Sequence, residues 1–192
     1  MGKYHKGDKG YIKYLKVLRI GMCISLLVCG FVILMVGQTN LVAEKLKYVF
    51  VLAAVFCLLP ACKEFVELVT IWSFKELPED VYKSIDKATE NKKKLVVYYD
   101  NVMTSNMHVM NIQCIVMNEG AVLCLVKEKK DKKTEETVKH VQEYITEEMK
   151  KRMLEGSVSV YKEPEQFIKH IGRLVDAKPA ADLKSFIHST IM

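Results

Sequence analysis

The 192-residue sequence lacks the short motifs of the common catalytic and cofactor sites. It has no GxGxxG segment or P-loop for a nucleotide phosphate, no GxSxG for a nucleophilic serine and no HExxH for a catalytic zinc ion. Six cysteines are present, but no two of them have the CxxC spacing of zinc and redox motifs. The sequence therefore predicts no metal and no cofactor, and a non-catalytic protein is favoured over an enzyme.

Charge is absent from one long stretch of the chain. Ile20–Gly37 contains 18 residues without a charged side chain, and an α-helix of that length covers ~27 Å, close to the hydrocarbon thickness of a bilayer. A second apolar run, Tyr48–Cys62, follows a turn predicted over Gln38–Lys47. We therefore predict a transmembrane helical hairpin over residues 20–62. Neither apolar run contains an acidic, basic or histidine side chain, which argues against a pore or a transporter.

A cleavable signal peptide is the competing interpretation of the first apolar run. Nineteen residues precede this run, and it ends in Met-Val-Gly-Gln-Thr instead of a small-x-small cleavage site. A second apolar run also follows almost at once. The hairpin is therefore favoured.

Positive charge is concentrated at the N-terminus. Residues 1–19 carry six Lys or Arg against one Asp, whereas residues 63–192 carry 21 basic and 21 acidic side chains. Basic residues beside a spanning helix are retained in the cytoplasm, where they meet anionic lipid headgroups. We therefore predict a multi-pass protein with both termini in the cytoplasm and a basic N-terminal region over residues 1–19. The neutral remainder argues against nucleic acid as a partner.

Small residues recur every four positions in both predicted spans. This spacing places each set on one helix face, where two backbones can approach closely. Packing of the two helices of the hairpin is the favoured use, and self-association through one face is the alternative. The predicted packing residues are Gly21, Ser25, Cys29, Ala53, Cys57 and Ala61.

Beyond the hairpin the apolar residues follow amphipathic patterns. Residues 63–78 predict a juxtamembrane helix and linker, with Trp72 near the headgroups. Residues 79–192 predict a cytoplasmic α/β (α+β) domain in which helices flank a mixed four-stranded sheet, in the order α-β-β-β-α-β-α-α. Its strands are predicted at Leu95–Tyr99, His108–Met117, Ala121–Val126 and Ser157–Tyr161.

This order of elements resembles the core of restriction-endonuclease-like nucleases, in which two acids hold Mg²⁺ and a lysine activates water. The nearest candidates are Asp100, Glu128 and Lys130. Asp100 ends the first predicted strand instead of the second, and Glu128 lies in a charge run beyond the third. A metal-dependent nuclease domain, active or degenerate, is therefore the alternative to a non-catalytic module.

Two cysteines fall in the predicted β-hairpin around Asn118–Gly120. Cys114 and Cys124 would form a redox pair if they faced each other across the two strands. Two reduced thiols in the core are the favoured interpretation. A thiol-based sensor would require the two cysteines to be adjacent and accessible.

The stretch from Gly30 through Thr39-Asn40-Leu41 to Leu59-Pro60-Ala61-Cys62-Lys63, followed by a domain that begins LVVYYDNVMTS, resembles an uncharacterised family of small bacterial two-span membrane proteins. Some members carry automatic labels such as "O-linked GlcNAc transferase-like". The resemblance implies placement in a bacterial inner membrane and no established activity. No nucleotide-sugar site that would support the glycosyltransferase label is recognisable in the sequence.

The leading hypothesis is a membrane-anchored, non-catalytic interaction or regulatory module. Its hairpin would lie in the lipid bilayer. Its cytoplasmic domain would bind a protein partner or a second copy of itself.

Overall fold

The computed structural model describes residues 5–39, 44–105, 109–126 and 132–191. The chain forms two compact units. One unit comprises residues 13–74, and the other joins the described parts of 1–12 and 75–192. The basic N-terminal region predicted over residues 1–19 is thus divided, and its first part belongs to the α/β unit.

Two long helices make up most of the first unit: α1 (Tyr11–Gly37) and α2 (Glu44–Trp72). Both are long and apolar enough to cross a membrane. At 27 and 29 residues they reach ~40 Å, the thickness of a bilayer with its headgroup regions. Large apolar side chains such as Phe31 and Phe56 are exposed on their outer surface. α2 begins inside the stretch predicted as a turn and continues through Pro60.

The second unit is an α+β domain. β1 pairs antiparallel with β2, β2 pairs antiparallel with β3, and β3 pairs parallel with β4. Among the described residues, the predicted mixed four-stranded sheet with flanking helices is confirmed. In chain order the elements are α3 (Glu79–Thr89), β1 (Val96–Thr104), β2 (Val109–Met117), β3 (Ala121–Val126), α4 (Lys132–Lys151), β4 (Ser157–Tyr161), α5 (Pro164–Arg173) and α6 (Ala181–Thr190).

The sheet has an apolar core on each face. The first core lies between the sheet and helices α4 and α6, and it includes Met103, Ile145 and Phe186. The second core lies between the sheet and helices α3 and α5, and it includes Ile85 and Phe167. Each of these helices buries apolar side chains three or four positions apart, so that one side of the helix faces the sheet. The two central strands are therefore buried on both faces.

The first strand is longer than predicted. β1 continues beyond Tyr99, where the prediction ended, through Asp100 and Asn101 to Thr104. Asp100 has a φ of 50°, in the left-handed region that a residue with a Cβ rarely adopts. An Asp-Asn pair is typical of turns, but both residues are fully buried here. The strand therefore contains two buried polar side chains next to an irregular backbone. Their lost contacts with water must be replaced by hydrogen bonds within the protein.

Candidate functional site

Asp100 is a fully buried carboxylate in the α/β unit. Its Oδ1 accepts a hydrogen bond from the backbone N–H of Leu77 at 3.0 Å. Its Oδ2 accepts one from the backbone N–H of Gly10 at 2.8 Å and another from the hydroxyl of Tyr82. A buried charge requires such compensation, because it has lost its water. The three donors together fix the left-handed backbone at Asp100.

Two of these donors come from the segments that adjoin the long apolar helices. Gly10 directly precedes α1, and Leu77 follows α2 after a short connection. The third donor, Tyr82, lies on α3. One side chain of β1 therefore binds the segment that leads into the helical hairpin and the segment that leaves it.

Lys9, the residue before Gly10, lies among two tyrosine rings and a carboxylate. Its Nζ is 5.6 Å from the centre of the Tyr82 ring and 5.2 Å from the centre of the Tyr99 ring. It also donates a hydrogen bond to the carboxylate of Asp86. The same carboxylate accepts a hydrogen bond from the hydroxyl of Tyr99 at 2.8 Å. Aromatic faces and a carboxylate together favour a cation. The Lys9 and Asp86 side chains are 44% and 47% exposed, so the site is open to solvent.

The N-terminal segment (residues 5–12) also covers part of the edge of β1. β1 is an edge strand of the sheet, and the backbone N–H of Tyr99 donates to the carbonyl of Gly7 at 2.7 Å. Gly7 has a φ of 89°, and a Cβ at this position would overlap the ring of Tyr98. Glycine is therefore required at position 7 by both the backbone angle and the close approach of the ring.

The C-terminal end of the described chain covers another part of the same edge. Met103 of β1 forms an antiparallel bridge with Ile191. The carbonyl of Ile191 accepts a hydrogen bond from Nζ of Lys6 at 2.9 Å. Uncovered strand edges invite pairing with other chains, and here two terminal segments occupy that position.

Both tyrosines of the cluster remain protonated. Burial raises the pKa of Tyr82 far above its usual value of 10.0, and the hydrogen bond to Asp100 raises it further. Burial, followed by the hydrogen bond to Asp86, raises the pKa of Tyr99 in the same way. The two hydroxyls therefore act as hydrogen-bond donors, and their surroundings activate neither as a nucleophile.

The structure places one of the three candidate nuclease residues, Asp100, among the described residues. Its carboxylate is enclosed by protein donors. Glu128 and Lys130 lie outside the described residues. Within the described part of the chain, no three His, Cys, Asp or Glu side chains form a group that could hold a metal ion.

The charge of the N-terminal segment does not indicate its contact with the α/β domain. The run Lys6-Gly7-Asp8-Lys9-Gly10 does offer a signal, because it has the glycines of a close-packed turn. A second available signal was the Asp-Asn pair that interrupts a β-rich run. Comparison of the chain with protein families, with curated proteins and with solved structures finds no match.

The two strand cysteines lie on opposite faces of the sheet. Cys124 belongs to the first core and Cys114 to the second. Both thiols are free and fully buried. Burial raises the pKa of Cys124 to about 12 and that of Cys114 well above its usual value. The hypothesis of an adjacent and accessible redox pair is therefore wrong.

The small residues predicted to pack the hairpin are only partly brought together. Gly21 and Ser25 are exposed, and a Cβ on Gly21 would meet nothing within 4 Å. Cys29 is exposed as well, although its thiol lies beside that of Cys57. Ala61 is buried, and the side chains of Cys57 and Ala53 are half-buried.

The contact between the two helices uses a different set of small residues on α1. Cys23, Gly30 and Gly37 are buried and follow one another at intervals of seven. Sγ of Cys23 lies 3.8 Å from the carbonyl of Ala61, and a Cβ on Gly30 would lie 3.4 Å from the Cβ of Cys57. Along an α-helix a repeat of seven drifts around the axis by ~20° per step and a repeat of four by ~40°. The seven-residue repeat therefore stays on the face towards α2.

Two basic residues of the N-terminal region, Arg19 and Lys16, contact side-chain or backbone oxygens of α2. Arg19 pairs with Glu64, and it contacts Glu67 at 2.6 Å without hydrogen-bond alignment. These three side chains are 20%, 14% and 22% exposed. Nζ of Lys16 donates to the carbonyl of Trp72 at 2.9 Å, at the C-terminal end of α2. Part of the N-terminal positive charge is therefore used in contacts within the protein.

Proposed function

We propose that this chain is a membrane-anchored, non-catalytic interaction or regulatory module. Its α/β domain would bind a protein partner or a second copy of the chain. The proposal is supported above all by Asp100, whose carboxylate binds the segment before α1, the segment after α2 and the hydroxyl of Tyr82. The buried carboxylate of Asp100 thus has a role in holding chain segments together.

The proposed location is the cytoplasmic face of a bacterial inner membrane, with both termini in the cytoplasm. Two helices long enough to cross a membrane support the anchoring. The excess of basic residues over 1–19 supports the orientation, because such residues are retained on the cytoplasmic side.

Labelling with a membrane-impermeant maleimide on intact cells tests this orientation. Single cysteines would replace exposed Thr39, between the helices, or exposed Met153, in the α/β domain, in a chain without its native cysteines. We expect Thr39→Cys to be labelled and Met153→Cys to be labelled only after lysis. The reverse pattern would contradict the orientation.

Photo-crosslinking in intact membranes tests the proposed binding function. Reactive residues would replace exposed apolar side chains of the α/β domain, Met153 and Val175, and exposed Glu119 would provide a polar comparison. We expect a discrete product of higher mass from at least one position. Co-expression of two differently tagged copies distinguishes self-association from a second protein. No discrete product from any of the three positions would contradict a binding module.

A further inference from the structure

We propose that the cluster around Lys9 is a binding site for a turn-forming, lysine-bearing peptide segment, and that residues 7–10 of the chain occupy it in cis. This inference rests on the proposed function as a binding module and names the ligand of one of its surfaces. The site is formed by the edge of β1 at Tyr99, by Asp86 and Tyr82 of α3, and by Asp100.

The site recognises three features of the bound segment at defined positions. The N–H of Tyr99 binds the carbonyl of Gly7. The ring faces of Tyr82 and Tyr99 and the carboxylate of Asp86 bind the ammonium two residues later. Oδ2 of Asp100 binds the next backbone N–H. A carbonyl, a lysine and an N–H in this order define a short motif. The segment presents it from a turned backbone, in which the N–H of Asp8 donates to the carbonyl of His5 and the N–H of Tyr11 donates to the carbonyl of Asp8.

The bound segment is held by polar contacts and by backbone fit. Among residues 5–10 only Gly7, which has no side chain, is buried. Apolar burial begins with Tyr11 and Ile12, at the start of α1. Because residues 5–10 contribute nothing to either apolar core, another segment with the same features can replace them without exposing the core.

The ligand class follows from these contacts. The residue that faces Tyr98 must lack a Cβ, as Gly7 does, and a lysine must follow two positions later. The residue between them is exposed, as Asp8 is, so its identity is not read by the site. The ligand is therefore a turn-forming Gly-x-Lys-Gly peptide, and the tethered copy in cis excludes competitors at an effective concentration of about 1 mM.

A peptide-binding experiment on the full-length chain in detergent micelles tests the inference. The probe is a fluorescent peptide with the sequence of residues 5–12, titrated to about 1 mM and followed by anisotropy. Gly7→Ala in the chain should displace the tethered segment through the overlap with Tyr98 and leave the site itself unchanged. The matched control is Gly172→Ala in α5, where a Cβ meets nothing within 4 Å.

We expect the Gly7→Ala chain to bind the peptide at least tenfold more tightly than the wild-type chain and the Gly172→Ala chain. Adding Asp86→Asn should reduce this binding about twofold, as expected for a solvent-exposed ion pair. Replacing the lysine that corresponds to Lys9 by alanine in the peptide removes the contacts with both rings as well and should reduce binding at least tenfold. A folded Gly7→Ala chain that binds no better than wild type would overturn the inference. Equal binding of the two peptides would also overturn it, whatever the crosslinking in membranes shows.

A second measurement applies even if Gly7→Ala does not fold. Hydrogen exchange of the Tyr99 amide, which is bonded to Gly7, reports release of the segment in the folded chain. We expect Lys9→Met to accelerate exchange at Tyr99 at least tenfold and to leave the amide of Val116, in a central strand, unchanged. An unchanged exchange rate at the Tyr99 amide would mean that Lys9 does not hold the segment. The proposed binding site for a lysine side chain would then be rejected.

Discussion

Asp100 of β1 and Gln113 of β2 occupy matching positions between two pairs of the ladder, and beyond this point the side chains of both strands alternate in the opposite sense between the two cores. The flanking pairs are Tyr99 with Cys114 and Asn101 with Ile112. In a regular strand, residues two apart share a face. Ile112 nevertheless belongs to the first core and Cys114 to the second.

β1 changes in the same way, because Tyr98 and Met103 both face the first core although they are five residues apart. β3 has no such change, so its pairing with β2 shifts by one residue between Ile112 and Cys114. The left-handed backbone at Asp100 takes its carboxylate out of the regular pleat. The side chain can then reach Gly10 and Leu77 instead of entering either core.

Asp100→Asn should destabilise the α/β domain by at least about 2 kcal/mol, because hydrogen bonds to a charged group contribute about 1.5–3 kcal/mol each. The amide NH₂ of asparagine would face backbone N–H donors and leave one of them unsatisfied. Urea unfolding of the full chain measures the change. The control is Asp182→Asn, an exposed residue in the first turn of α6, which should stay within about 0.5 kcal/mol of wild type. Equal stability of the two variants would contradict the role assigned to Asp100.

The mixed sheet could be predicted from the sequence because its signals are local. The run Ala121–Val126 is β-rich and follows a turn at Asn118–Gly120, and the stripe of Val141, Ile145 and Met149 has helical spacing. These patterns depend on neighbours within a few residues. They also place apolar side chains towards a core, as the structure confirms for this helix.

The polar cluster could not be predicted in this way, because its partners are far apart in sequence. Gly10 and Asp100 are separated by 90 residues. The local sequence pattern around either residue does not predict a contact with the other. Asp100 and Asn101 instead matched the composition of a turn. The disfavoured alternative of a facing cysteine pair fails for a related reason, since the shift at Gln113 changes which face Cys114 occupies.

Lys92→Met should weaken the end of α5. Nζ of Lys92 donates to the carbonyls of Ile171 at 2.5 Å, Gly172 at 2.8 Å and Leu174 at 2.7 Å. The carbonyls of a last helical turn have no partner within the helix, and a cation there is favourable. We expect a loss of about 1–2 kcal/mol in urea unfolding. Exposed Lys93 supplies the matched control, and Lys93→Met should change the free energy of unfolding little. Similar losses for both variants would argue against a stabilising role of Lys92 at the end of α5.

The contact between Lys9 and Asp86 should depend on pH in a defined direction. Burial tends to raise the pKa of Asp86, but the hydrogen bonds from Lys9 and Tyr99 outweigh it, so the pKa is lowered from its usual 3.8. A carboxyl whose pKa is lowered on folding contributes stability above its unfolded pKa and loses it as pH falls through the folded value. Asp86→Asn should therefore cost about 0.5 kcal/mol at pH 7 and nothing once the pH is well below 3.8.

Urea unfolding of wild type and Asp86→Asn across this range measures the difference. In the Lys9→Met background the pH-dependent part of the difference should shrink, because the ammonium that stabilises the charged carboxylate is gone. The difference in unfolding free energy between wild type and Asp86→Asn could instead stay constant from pH 7 down to full protonation of Asp86. In that case the effect of the substitution would not come from the charge of the carboxylate.

Gly30→Leu should separate the two helices of the hairpin, whereas Gly21→Leu should not. A Cβ on Gly30 would lie 3.4 Å from the Cβ of Cys57 and 3.6 Å from the carbonyl oxygen of Ala54, and a Cβ on Gly21 would meet nothing within 4 Å. Overpacking of a close contact costs about 1–3 kcal/mol. Thermal unfolding of the helices in micelles, followed by circular dichroism, should show the loss for Gly30→Leu alone. If Gly21→Leu instead lowers the unfolding temperature and the mass of the solubilised complex, the exposed face with Gly21, Ser25 and Cys29 is an interface between copies of the chain.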